Sequence, residues 1–326
     1  MNNGPFIDNC RFIQQIAVTP LVSVQLAPDS GSIWCKLEFL NPSGSTKDRI
    51  ARHILEKQWR IGRLHAGDMV IEASSGSTSI AFALACAQMG LKFTAVMPES
   101  VSNERVLIIR SYGGQIILVP KSSGMIGAIA RAEEEARKTG AFCPLQFENV
   151  DNAEAHRVST GQEILRQIPG GVVHAIVSGV GTGGTIVGLY NAFAQAGCAV
   201  TPFLARPIEG GASFDVECLS FSTRVPGVVD GLSKLFSAST LPGLTEIDVH
   251  DSVAIETTRQ LINKGFPVGP SSGLNYAAAL RAKSLLGPSA QVVTVFPDRM
   301  ERYFSTELFT TWNFTNLGET FDQAVS

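Results

Sequence analysis

From residue 33 onward, short runs rich in Val, Ile and Leu alternate with amphipathic stretches long enough to be helices. Residues 33–39, 69–72, 92–97 and 115–119 read as strands, and residues 48–59, 78–88, 103–111 and 125–138 as helices. A second series opens with a helical stretch near 154–168 and runs through strand 172–177, helix 185–196 and strand 200–205. It resumes with strand 245–249, helices 252–263 and 273–286, and strand 290–296. Apolar strands separated by helix-length connections belong in parallel sheets covered by crossover helices. The pattern lapses between Pro207 and Ser237, a glycine-rich stretch whose irregularity suits a functional or mobile segment. The expected architecture is two α/β layers with a cleft between them, divided near residues 149–151. A length of 326 residues fits one large or two modest domains.

Charge narrows the partners. A net charge of −3 and a pI near 6.0 argue against nucleic acid or an anionic membrane as the main partner. No apolar run is long enough to span a bilayer, and the first residues lack the basic start and apolar core of a signal peptide. The six cysteines are far apart and make no Cys-x-x-Cys, so free thiols in a reducing cytoplasm are expected. The five histidines show no metal-ligand spacing, and no metal site is expected.

Four strand-to-helix junctions carry the chemistry. In Asn41-Pro42-Ser43-Gly44-Ser45-Thr46-Lys47-Asp48-Arg49, Lys47 falls in a first helical turn, where the macrodipole disfavours a cation. Such a lysine is either swung into solvent or kept for its amine. Glu72-Ala73-Ser74-Ser75-Gly76-Ser77-Thr78-Ser79 gathers hydroxyls and backbone N–H groups at a helix start. It reads either as a carboxylate or phosphate site or as an N-cap with spare serines. Ser178-Gly179-Val180-Gly181-Thr182-Gly183-Gly184-Thr185 has four glycines, more than a tight turn needs, and favours phosphate binding. Gly179, Gly181 and Gly184 also satisfy a dinucleotide fingerprint, a rival weakened by the missing acidic residue some 20 positions on. In Val268-Gly269-Pro270-Ser271-Ser272-Gly273 the serines either cap a helix or present a hydroxyl to a ligand.

Together these loops, in this order, resemble the fold-type II enzymes that use pyridoxal 5′-phosphate (PLP), most closely the cysteine synthase and cystathionine β-synthase group. The resemblance runs from Thr19-Pro20-Leu21 to Glu301-Arg302-Tyr303-Phe304-Ser305-Thr306 and includes Met97-Pro98-Glu99, residues 124–129, and Gln146-Phe147 with Asn149. It implies two three-layer α/β/α domains with mainly parallel sheets, like the tryptophan synthase β chain, and the cofactor in the cleft between them. Residues 41–150 would form a smaller, mobile domain carrying the substrate-carboxylate loop. Residues 1–40 and 151–326 would form a larger domain that binds the PLP phosphate. Lys47 is implied as the Schiff-base lysine, and Gly181, Thr182, Gly183, Gly184 and Thr185 as the phosphate cup. Ser271 would meet the pyridine nitrogen, and Ser74, Ser75, Gly76, Ser77 and Thr78 would close on the substrate carboxylate, with Gln146 beside them. The implied activity is β-replacement on L-serine or an O-activated L-serine through an aminoacrylate, with cysteine synthesis from O-acetylserine and sulfide foremost. Synthesis of another β-substituted alanine (cystathionine or a diaminopropionate-type product), or sulfide-releasing breakdown of cysteine, is the alternative. A catalytically weak binding subunit is a further reading. A homodimer acting on small molecules is implied.

Two departures bear on the substrate. Ser77 stands where the group carries an asparagine that reaches the cofactor's 3′-oxygen and the substrate, and a hydroxyl has shorter reach. Gly227-Val228-Val229-Asp230-Gly231 replaces a small, uncharged segment. Asp230 either faces solvent or, facing the intermediate, repels sulfide and serves as a base for an amine, a thiol or water.

Overall fold

The computed structural model describes residues 16–28, 30–208, 224–228, 231–237 and 239–310. Along the first half of these run β1 (Leu21–Val24), β2 (Ile33–Leu37), α1 (Lys47–Arg60), β3 (Met69–Ala73), α2 (Ser77–Met89), β4 (Lys92–Pro98), α3 (Asn103–Ser111), β5 (Gln115–Val119) and α4 (Gly124–Thr139). Then follow α5 (Asp151–Val158), α6 (Thr160–Gln167), β6 (Ala175–Ser178), α7 (Gly184–Gln195), β7 (Thr201–Ile208), β8 (Thr245–His250), α8 (Asp251–Asn263), α9 (Pro270–Leu286) and β9 (Val292–Phe296).

Side-chain alternation along β9 explains its place. Val292 and Phe296 join one apolar cluster, with α8 and α9, while Val293 and Val295 join another, with α6 and α7. A strand buried on both faces needs helices on both, and β9 accordingly lies inside a six-stranded sheet of order β1-β2-β9-β6-β7-β8. Only the β1–β2 pair is antiparallel. The smaller sheet, β3-β4-β5, is wholly parallel and drawn from residues 69–119. Here Val70, Phe93, Ala95 and Met97 pack toward α1, α2 and α3, and Ile71, Ala73, Val96 and Val119 toward α4. The fold is therefore mixed α/β with mainly parallel sheets.

Two local readings are corrected. The expected single helix at 154–168 is two, because Ser159 leaves helical geometry (φ −116°, ψ −83°) and its hydroxyl bonds back to the Ala155 carbonyl. Strand β1 was not anticipated. It has four residues, of which only Val24 is buried, so it shows no burial period.

A buried ion network anchors α1. Arg49 donates to Glu163 (2.6 Å) and Glu38 (2.9 Å), and Lys36 pairs with Glu163 at 2.8 Å. Burial alone would raise Glu38, but the Arg49 charge and bonds, with the Thr19 hydroxyl, hold it down to about 2. This network ties β2, α1 and α6 together two residues beyond Lys47.

Candidate active site

In open parallel sheets ligands bind beyond the carboxyl ends of the strands, where the strand order switches direction. That point lies at β6, whose neighbours are β7 on one side and β9 on the other. The loops after β6 and β9 face those after β3 and β4 across a cleft of about 370 Å³, within the usual range for a small-molecule site.

Lys47 opens into this cleft from the first turn of α1. Its loop is pinned to the segment after β9: Thr46 N–H donates to the Pro297 carbonyl (2.8 Å), and Arg299 N–H to the Gly44 carbonyl (3.2 Å). Gly44 has φ +80°, and a Cβ there would meet Arg299 Cδ at 2.7 Å, so the close approach requires glycine. Beside the lysine, Asp48 accepts from the Ser43 N–H (2.8 Å) and hydroxyl; burial pushes its carboxyl up to about 6 against those bonds and the Arg302 charge. Burial lowers the Lys47 pKa, and the Asp298 charge offsets this only in part. Lys47 is half-buried, and among the described residues its amine forms no ion pair.

The glycine loop lies in the same cleft. Gly181, Thr182, Gly183 and Thr185 line it, and at the start of α7 the Gly184 N–H donates to Thr182 Oγ1 at 3.4 Å. Side chains are sterically excluded there. A Cβ on Gly181 would lie 2.4 Å from the Gly227 carbonyl oxygen, and one on Gly184 only 1.9 Å from Asn152 Oδ1. Backbone N–H groups at the start of a 12-residue helix, with the Thr182 and Thr185 hydroxyls beside them, suit a phosphate. Ser271, in the first turn of α9, lines the cleft as well.

Ser74, Ser75, Ser77, Thr78 and Gln146 also line the cleft. Their side chains are not equivalent. Ser74 Oγ is turned inward as a staple, accepting from the N–H groups of Gly76 (3.0 Å) and Ser79 (3.1 Å). Thr78 Oγ1 donates to Gln146 Oε1 (2.6 Å), and Gln146 Nε2 to the Ala73 carbonyl (2.6 Å). Glu72, beneath them, accepts the Gln146 N–H at 3.1 Å; burial raises its carboxyl to about 8 despite the N–H groups of Ala73, Gln146 and Leu145. Leu145 holds the left-handed φ of 55°, local strain that turns Gln146 into the cleft.

Five positions in or beside the cleft escaped the sequence reading. Asp298 accepts from Ser77 (3.2 Å) and Tyr303 (2.8 Å). Its signal was positional, since it lies two residues past the end of a central parallel strand. Arg105 and Tyr303 form one wall. Asn152 Nδ2 donates to Thr182 Oγ1 (3.0 Å) and the Gln146 carbonyl (2.8 Å), joining the two binding loops. His156 contacts Thr185 Oγ1 through Nε2 (3.2 Å) and Thr160 Oγ1 through Nδ1 (3.1 Å), and burial depresses its pKa to about 3, so it is neutral. Nothing local in the sequence marked Asn152 or His156. Asp230 lies outside the described residues.

Comparison with known proteins agrees with this geometry. A family model described as pyridoxal-phosphate dependent enzyme matches residues 13–298. Cysteine synthase of Staphylococcus aureus is 36% identical over 318 residues, covering 93% of this chain and 97% of that protein. The crystal structure of O-ureido-L-serine synthase superposes with a TM-score of 0.82 at 32% identity, covering 93% of this chain and 95% of that one. A hydrogen sulfide-producing enzyme from Fusobacterium nucleatum superposes with a TM-score of 0.81 at 32% identity, covering 93% and 92%.

Proposed function

The chain belongs to the pyridoxal-phosphate dependent enzymes, and on that premise we propose that it catalyses β-replacement on L-serine or an O-activated L-serine. Cysteine synthesis from O-acetylserine and sulfide is the leading reaction. One observation carries the reading: an amine whose pKa burial lowers, making no ion pair among the described residues, shares a single cleft with a glycine-lined helix start. These residues fit PLP. Lys47 would hold it covalently, Gly181 to Thr185 would take its phosphate, and Ser271 would meet its ring nitrogen. Bound there, the cofactor supplies the electron sink that makes the α-proton of an amino acid removable.

The protein's own groups do the rest. The N–H groups of the Ser75–Thr78 loop would bind the substrate carboxylate at the start of α2, with Gln146 held in place by Thr78 and Glu72. Lys47, its pKa lowered by burial, would take the α-proton and return it once the β-substituent has been exchanged. His156, neutral and buried, would orient the Thr185 hydroxyl toward the phosphate. Ser271 is too weak an acid to protonate a ring nitrogen, which favours β-exchange over chemistry through a long-lived carbanion.

The division into a smaller domain at 41–150 and a larger one at 1–40 and 151–326 belongs to this reading, supported by the separation of the two sheets. So does a homodimer, as implied by the family resemblance. A cytoplasmic setting is supported by the free thiols of Cys35, Cys86, Cys143 and Cys198.

A second reading keeps the β-exchange and changes the nucleophile or the product. The similarity to O-ureido-L-serine synthase and to a hydrogen sulfide-producing enzyme favours it. Purified holoenzyme given O-acetylserine with sulfide, or cysteine alone, decides by product mass. Cysteine from the first pair supports the leading reaction; sulfide from cysteine supports the second. No β-exchanged product from any serine derivative, together with no sulfide from cysteine, refutes both.

A further inference from the structure

The outer wall of the cleft carries two cations that the chemistry above does not use. Arg105, in the first turn of α3, lines the cleft and is 9% exposed. Within the described residues it commits one of its five donors, Nη1 to the Ser75 carbonyl at 3.3 Å, while Nε is buried without a partner. Its guanidinium lies 5.2 Å from the centroid of the Tyr303 ring. Lys121, exposed in the turn after β5, lines the same cleft. The ion pairs of the described arginines and lysines all lie elsewhere. Asp298 is the one acid among the described residues that line the cleft, and Ser77 and Tyr303 already occupy one of its oxygens. A buried guanidinium with free donors is costly until an anion completes it.

Gly76 shows that this placement is built in. Its φ is +147°, and a Cβ there would lie 2.3 Å from Arg105 Cδ, so glycine admits the arginine against the loop assigned to the α-carboxylate. Arg105 therefore lies against that loop while still lining the cleft.

Resting on the β-replacement reading, we propose that Arg105 and Lys121 form a second anion subsite, distinct from the α-carboxylate loop. Its ligand is an oxyanion carried by one reactant: the phosphoryl group of an O-phosphorylated serine, or the oxyanion of an acidic nucleophile. The guanidinium supplies planar, paired donors and the lysine a point charge at the entrance.

The test titrates holoenzyme with inorganic phosphate and with thiosulfate by calorimetry, for wild type, Lys121→Gln and Arg105→Lys. In parallel, kcat/KM is measured with O-acetylserine or O-phosphoserine as donor and sulfide or thiosulfate as nucleophile. Lys121→Gln is expected to weaken anion binding about tenfold, and to lower kcat/KM for the oxyanion-bearing reactant about tenfold relative to its counterpart. A selective loss with O-phosphoserine places the oxyanion on the leaving group; one with thiosulfate places it on the nucleophile. Anion binding unchanged in both folded variants, or equal losses for all reactant pairs, overturns the subsite. Lysine-dependent anion binding in a protein that exchanges no serine derivative would uphold the subsite and sink the reaction assignment instead.

Discussion

Ser77 Oγ donates to Asp298 Oδ2 at 3.2 Å, joining the loop after β3 to the loop after β9. These belong to different sheets, so the bond spans the cleft. The hydroxyl that stands at the asparagine position of the family is thus directed at a carboxylate that also accepts from Tyr303.

Replacing Ser77 with alanine removes one exposed-to-cleft bond worth about 1 kcal/mol. The expected effect is a fall of about fivefold in kcat/KM for the amino-acid substrate, with the melting temperature within about two degrees of wild type. Steady-state kinetics and a thermal scan check this. Unchanged kinetics would make the cross-cleft bond incidental to substrate handling.

Lys47→Ala should give a folded, colourless protein. Borohydride reduction of wild type should leave the cofactor mass on the Lys47 peptide, and the variant should show none. Because a buried cation at a helix start is unfavourable, the cofactor-free variant should be at least as stable as cofactor-free wild type, by up to about 1 kcal/mol. A cofactor mass found on any other lysine defeats the assignment.

Gly184→Ala would place a methyl group 1.9 Å from Asn152 Oδ1. Asn152 must then move and release Thr182 and the Gln146 carbonyl together. Affinity for PLP is expected to fall at least tenfold, about 1.4 kcal/mol, measured by absorbance titration of the cofactor-free protein. Wild-type affinity would show that the loop tolerates displacement.

Glu72 makes stability depend on pH. Burial raises its folded-state pKa from 4.5 to about 8, so the folded protein holds a proton that the unfolded chain has lost. Its contribution is complete below about pH 4.5 and is lost as pH rises toward 8. Urea unfolding should therefore show wild type losing stability against Glu72→Gln between pH 5 and 8, by a few kcal/mol at most. A constant difference across that range would mean that Glu72 is ionised in the fold.

Arg49→Met leaves Glu38 and Glu163 buried without their shared partner. The expected loss is about 3–5 kcal/mol at neutral pH, read from chemical denaturation. Glu38, held at about 2, contributes stability that is present above 4.5 and lost as pH falls through 2. The Arg49→Met penalty should accordingly shrink in acid.

Much of the fold was legible because β-branched runs and amphipathic helices repeat with little interference. The four loops were legible because glycine and hydroxyl residues crowd strand ends, where a sheet leaves backbone groups unpaired. What stayed hidden depends on contacts remote in sequence. Asn152 acts by reaching Thr182, 30 residues on, and Asp298 by reaching Ser77, 221 residues back. Strand β1 was hidden for another reason: an antiparallel edge partner needs no apolar period to pair with β2. The inward turn of Ser74 was equally invisible, since a serine that staples a loop and one that meets a ligand are the same letter.

The place of β9 between β2 and β6 has a bearing on how the molecule is made. Until residues 292–299 leave the ribosome, β2 and β6 have no common neighbour and the Lys47 loop lacks the backbone against which it is pinned. The wall around Lys47 is thus complete only once that strand has been made, and a nascent chain stalled short of it would present this lysine to a half-assembled sheet.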